Sequence, residues 1–305
     1  MIRALTIALL LTSPAWGQAL DLSKGGPIDV TSDNGIEYQQ AEQVVIARGN
    51  ARAVRGDVTV TADRLTARFR RKGGAAGAAA SGPDGGDNEI YRLEADGNVR
   101  IFTATDLAVG DHAIYDIDQA VLLMTGAAMK ITTPQQVMTA RDTMEYWSQK
   151  HMAVGRGLAV VITSDGRRLS ADTLVGYTTP PPAAGANPAA GATALPKPVA
   201  DKPAKPGADT APTSGKLQRV EAFDNVEVRT LTETFRGARA VYVADSEIAR
   251  LAGSVRVTRG QSQLNGDEAV VNMRTGIYTM TKAPGGRVQG LVVPNDTSVS
   301  TTKKP

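Results

Sequence analysis

The stretch IARGNARAVRGDVTVTADRLTARF, residues 46–69, decides the fold. Through VTVTAD (58–63) apolar and polar side chains alternate, which gives a strand one dry and one wet face. The stretch carries a Gly49-Asn50 turn signal, and a second small turn, Ala62-Asp63, is predicted about fourteen positions later. The same unit returns as GNVRIF from Gly97, DNVEVR from Asp224 and GSVRVT from Gly253. Its second turn returns as Gly110-Asp111 and Gly266-Asp267, and without the carboxylate as Gly237-Ala238. Glycines 97, 126 and 155 lie 29 residues apart, as do positions 224 and 253. A period this short means stacked units sharing one core.

Two insertions interrupt the period. Gly49 and Gly97 are 48 residues apart because a Gly/Ala-rich loop, 71–89, lies between them. A second insertion, 180–215, holds nine of the sixteen prolines and cannot form a ladder, since proline supplies no backbone donor. It reads as a disordered Pro/Ala-rich segment between two blocks of repeats, 20–179 and 216–294, followed by a polar tail over 295–305. Residues 1–19 read as a signal peptide: Arg3 makes the basic start, Ala4–Leu11 the apolar run, and cleavage follows Gly17 or Ala19. That run is far short of the roughly 20 residues that span a bilayer, so export and cleavage are expected.

Composition limits the remaining choices. The formal charge of +3 over 305 residues is too balanced for a protein that binds nucleic acid by neutralising phosphates. With four phenylalanines, the core must be built from valine, leucine, isoleucine and alanine. With no cysteine, an exported chain is held by its ladders and core alone. Period-two alternation also marks VRIF (99–102), LAVVIT (158–163), VEVR (226–229) and VRVT (255–258), whereas helical spacing is nowhere sustained. Two strands in each of six copies give about twelve, flanked by strands at 28–32, 43–48 and 287–293. The alternation turns Val58, Val60, Val99, Ile101, Val226, Val228, Val255 and Val257 towards one interior. If the two layers are splayed, these side chains line an apolar trough; if they are shut, they are only a core. Repetition also leaves unpaired strands at both ends of the stack, open to strand addition.

The units at 46–69 and at 93–126, LEADGNVRIFTATDLAVGDHAIYDIDQAVLLMTG, resemble those of the OstA-like periplasmic proteins of lipopolysaccharide (LPS) transport, the LptA family. The resemblance covers about 28–177 and 217–281. It implies an open, twisted antiparallel β-jellyroll built from repeats of about 29 residues, acting in the periplasm. It further implies that the apolar groove shields the acyl chains of lipid A and that subunits join end to end. The implied partners are an inner-membrane anchored LptC-like protein and an outer-membrane LptD-like protein, with homo-oligomers a further expectation. A membrane-anchored LptC-like component is the alternative within the family. Outside it stand a structural repeat protein and a polysaccharide-active one.

Catalytic chemistry finds little support in the residues. Asp63, Asp111, Asp172 and Asp267 recur beside Gly or Ala, where aspartate caps its own backbone, so they read as turn formers and not as a metal string. His112 and His151 are the only histidines and lack ligand spacing. Trp147 reads as a rim aromatic, and Arg48, Arg52, Arg55, Arg70, Arg71 and Lys72 as solubilising groups on a wet strand face. No enzyme activity, metal or cofactor is expected, and no nucleotide-binding loop is present in the sequence.

Overall fold

The computed structural model describes residues 28–71, 88–179, 217–282 and 286–293. The expected signal peptide, most of the 71–89 loop, the proline-rich insertion and the tail lie outside the described residues. Among the described residues eighteen strands form one antiparallel sheet. The first six are β1 (Asp29–Thr31), β2 (Ile36–Gln39), β3 (Val44–Arg55), β4 (Val58–Arg71), β5 (Asn88–Phe102) and β6 (Leu107–Asp116). Four short strands follow: β7 (Val121–Thr125), β8 (Met129–Thr132), β9 (Gln136–Ala140) and β10 (Thr143–Trp147). Long strands resume as β11 (Met152–Thr163), β12 (Arg168–Thr178), β13 (Leu217–Arg229), β14 (Thr234–Val243), β15 (Ile248–Arg259) and β16 (Ser262–Asn272). The last two are β17 (Ile277–Thr281) and β18 (Gln289–Leu291). A 3-10 turn, Ser148–Lys150, separates β10 from β11.

The positions predicted as turns lie in the middle of strands. Gly49-Asn50 falls within β3, Gly97-Asn98 within β5, Asp224-Asn225 within β13 and Gly253-Ser254 within β15. Both residues of each pair have positive φ, from 44° to 83°. Glycine and asparagine tolerate that region, which is why they recur here. Each pair is a β-bulge: Asp96 faces His112 and Val99 faces Gly110, so one strand advances by three residues while its neighbour advances by two. The chain instead reverses at Gly56-Asp57, Thr103–Asp106, Ile117–Gln119 and their later equivalents. Only at Gly126 does a predicted turn interrupt a strand, between β7 and β8. Gly155 is not the third member of its series. Gly157 is, with φ +80° beside Leu158 at +54°, whereas Gly155 in the same strand has no positive φ.

The line of bulges folds the sheet into two layers. The first half of β3 pairs with β2 and its second half with β1. Likewise β6 divides between β7 and β8, β11 between β10 and β9, and β16 between β17 and β18. One layer therefore runs from β2 through the half of each long strand nearer β7 and β10 to β17. The other runs from β1 through the opposite halves, β8 and β9 to β18. Because β12 pairs with β13 from Arg168↔Arg229 to Thr178↔Leu217, the two repeat blocks form one continuous stack across the proline-rich insertion. The expected class, an open antiparallel β-jellyroll, is what this pairing produces, with more strands than the repeat count suggested.

At three bulges a side chain fastens the strand to the segment before it. Asn98 donates to Asp63 (2.9 Å), Asn225 to Asp172 (2.7 Å) and Asn50 to Asp33 (2.7 Å). In the interrupted copy the Ala127 amide donates to Asp111 (2.8 Å). The recurrent aspartates thus fasten the fold line. Among the described residues no group of three potential ligands could hold a metal. The wet face carries cross-strand ion pairs, including Arg64–Asp96 (2.9 Å), Arg68–Glu94 (2.9 Å) and Arg236–Glu227 (2.7 Å), each contributing little alone in water. Arg48 pairs with Glu37, and Arg70 bridges Glu89 and Asp118, so part of the basic run of the first copy is neutralised locally. Arg70 titrates higher than usual because it donates to both carboxylates, Asp118 first.

Candidate functional site: the space between the layers

All eight groove candidates lie in the second layer and face the first. Val58, Val60, Val99, Ile101, Val226, Val255 and Val257 are buried, and Val228 is half-buried against them. Their strands differ, yet they form one cluster that extends from Val58 in β4 to Val271 in β16. The opposite wall is lined with smaller side chains, among them Ala95, Ala113, Ala222, Ala240 and Ala269. Branched side chains on one wall meeting methyl groups on the other let the layers approach closely. The walls touch at Phe235 of β14 and Tyr278 of β17, whose rings meet edge to face at 6.0 Å.

The middle of the interior was not anticipated from the sequence. There β7–β10 bring Met124, Met129, Met138 and Met144 into the core, all buried, together with Leu122 and the fully buried Tyr115 of β6. Glycines make room for these methionines. A Cβ on Gly155 would lie 2.3 Å from Met138 Cε, and one on Gly110 3.1 Å from Met124 Cε. The available signal was the alternation in VLLMT, MKIT, QVMTA and TMEYW.

Along the side opposite the bulges, the hairpins of the two layers face each other as free lips. One narrow cavity of about 60 Å³ opens there, with Asp106, Thr133 and Gln136 on the second-layer lip and Tyr146, His151 and Thr178 on the other. Leu122, Met124, Ile131, Met138 and Met144 line its depth. Burial pushes the Asp106 carboxyl above the usual carboxylate range, and the Thr105 hydroxyl offsets part of that rise. His112 lies away from this cavity, exposed and bonded to Asp96 at 2.9 Å. Trp147 sits at the rim, donating to Glu145 (3.0 Å) with Lys150 4.1 Å from its ring centre. Neither gathers a catalytic constellation. A second depression, lined by Asn225, Glu227, Arg236, Gly253, Ser254 and Arg256, lies open along the fold line.

Fold and interior together define a class: an all-β protein whose two sheet layers enclose an apolar core from β4 to β17 and, among the described residues, end in strands paired on one side only. The chain belongs to the LptA/(LptD N-terminal domain) LPS transport protein family, whose model matches residues 29–152 and 140–277. It is 25% identical over 120 residues to an uncharacterised protein of Rhizobium meliloti (strain 1021), a match spanning 39% of this chain and 60% of that relative's length. Among solved structures it is similar to LptH, the LptA-homologous periplasmic component of the lipopolysaccharide transport device of Pseudomonas aeruginosa. That likeness covers 88% of this chain and 96% of the other at 10% identity, with a TM-score of 0.19; the fold described above rests on the strand pairing alone.

Proposed function

We propose that this chain is a periplasmic carrier that receives the acyl chains of lipid A between its layers. It passes LPS from the inner-membrane export complex towards the outer membrane as one element of an end-to-end bridge. The observation that carries the proposal is the unbroken apolar interior between two edge-exposed ends, in a chain of an LPS transport family. Each methylene removed from water contributes about 0.8 kcal/mol, so a lipid with several chains crosses an aqueous compartment only when shielded. Valine and alanine walls bind through many weak contacts, which suits a protein that must release its cargo. Methionines with three rotatable bonds let the middle of the interior reshape as the lips part. Among the described residues β1 and β2 at the N-terminal end lack a partner on one side, and so do β17 and β18 at the C-terminal end. These edges are where an LptC-like and an LptD-like neighbour, or a second copy, would add strands.

The contact of Phe235 with Tyr278 favours a second reading, a repeat protein whose layers stay shut and carry no ligand. A photoreactive benzophenone side chain at position 228 separates the two. Irradiation of the purified protein with added LPS is expected to give a covalent lipid adduct by mass spectrometry. Repeated absence of an adduct, with the variant folded, would establish the shut repeat protein instead.

A further inference from the structure

Three hairpins between paired strands of the second layer share one construction. In Thr103–Asp106, Thr133–Gln136 and Thr230–Glu233 the threonine hydroxyl accepts the amide N–H of the fourth residue, at 3.1, 3.2 and 3.0 Å. The fourth side chain is thereby aimed by its turn, but the three occupy different surroundings. Glu233 lies 3.9 Å from Arg259. Asp106, only 6% exposed, has no such cation: its Oδ1 is shut off from solvent and meets no hydrogen-bond donor of the described residues. An orphaned buried oxygen costs roughly 1–3 kcal/mol, so it is kept at that expense or completed by something else. Asp106 is among the residues that line the cavity between the lips, together with Met124, Met138 and Met144.

We propose that the cleft at the lips is the entry site for an acyl chain whose first polar group is a hydrogen-bond donor, a hydroxyl or an amide N–H, received by the Asp106 carboxyl. This deepens the carrier reading and rests on it. The lining argues for the hydrocarbon part: below the rim it is Leu122, Ile131, Met124, Met138 and Met144, with Tyr146 at the mouth. The oxygen argues for the donor, because Oδ1 accepts a hydrogen bond whether or not the carboxyl is ionised. As it stands the space holds only a few water-sized groups, at 10–15 Å³ each. A chain enters as Met124, Met138 and Met144 swing aside, which unbranched side chains do at small rotamer cost. Gln136, at the same turn position in the next hairpin and also buried, extends the polar rim.

The test places benzophenone at Ile131, inside the cleft, or at Val228, in the interior away from it, each with Asp106 intact, as Asp106→Asn or as Asp106→Leu. The probe is purified LPS, with thermal melts confirming that every variant is folded. Asparagine retains an acceptor oxygen and is expected to keep the Ile131 adduct. Leucine is expected to weaken it about five- to tenfold, the loss of one hydrogen bond, while the Val228 adduct is unchanged. Equal labelling of position 131 in the leucine variant would overturn the anchor. Labelling at 228 without any at 131 would overturn the site and leave the carrier reading standing, whereas no labelling at either position removes both. If position 131 is labelled only after residues 180–216 are deleted, the cleft belongs to the chain's own segment and the proposal fails.

Discussion

Single residues set the fold line. At Gly97 the backbone has φ +76°, and an added Cβ would lie 2.3 Å from Asp63 Oδ2, the carboxylate that holds Asn98. Gly56, with φ +56°, has nothing within 4 Å of the same position. Gly56→Ala should therefore show only the left-handed backbone penalty, about 1–2 kcal/mol, and Gly97→Ala more, because the Asp63–Asn98 bond is also displaced. Urea melts check this, and in an Asp63→Ala background the excess should vanish. Titratable residues act in opposite directions. Asp96 sits below its unfolded value of 3.8 because His112 and Arg64 outweigh the upward push of burial. A depressed carboxyl stabilises above its unfolded pKa and loses that contribution as pH falls through the folded one, so Asp96 adds to acid destabilisation below about pH 4. Asp106 is raised, so its contribution is present below 3.8 and is lost as pH rises through its folded value. Melts against pH should show Asp106→Asn stabilising the protein at pH 7 and losing that advantage towards pH 3.

At the scale of elements, the long strands serve both layers by bending at one inserted residue. That residue is why the sequence period was legible while the turns were misplaced. Gly-Asn between alternating runs is the strongest short-range hairpin signal, but it serves equally where a strand must take two residues of positive φ without reversing. Val99 and Ile101 still point inward in either reading, because alternation is local to the segment after the bulge. The ladder between β12 and β13 gives a sharper test of element autonomy. It is paired up to Thr178↔Leu217, so residues 180–216 only join two strand ends that already face each other. Replacing them with a short Asn-Gly turn should preserve the far-ultraviolet β-sheet spectrum. It should also raise stability by about 2 kcal/mol, since the loop is shortened by roughly three halvings. A loss of cooperativity on denaturant melting would show that the insertion supports the stack.

Viewed whole, the molecule is a folded sheet with one fastened side, one side of free lips, and two open ends. The C-terminal end exposes Ile277, Leu291 and Val292, at 65%, 62% and 72% of their full areas. The N-terminal end exposes Ile36 at 53%. Unpaired strands carrying apolar side chains associate with another edge unless a charge is placed on them. Sedimentation velocity should show concentration-dependent association that Ile277→Lys on β17 reduces at unchanged monomer melting. Identical sedimentation of variant and parent would place the contact elsewhere.

The sequence by itself determined the all-β class, the repetition and the inward face, because strand alternation and short-period recurrence are local properties of the chain. Val58, Val60, Val99, Ile101, Val226, Val255 and Val257 were readable from three or four neighbours each. Only the tertiary structure decided what those side chains meet. Which half of each strand joins which layer depends on pairings far apart in the chain, such as Leu107 with Thr132 or Val160 with Thr139. The methionine-lined middle and the buried Asp106 Oδ1, which meets no donor among the described residues, exist only where such distant segments converge, and no local pattern encodes a neighbour's absence.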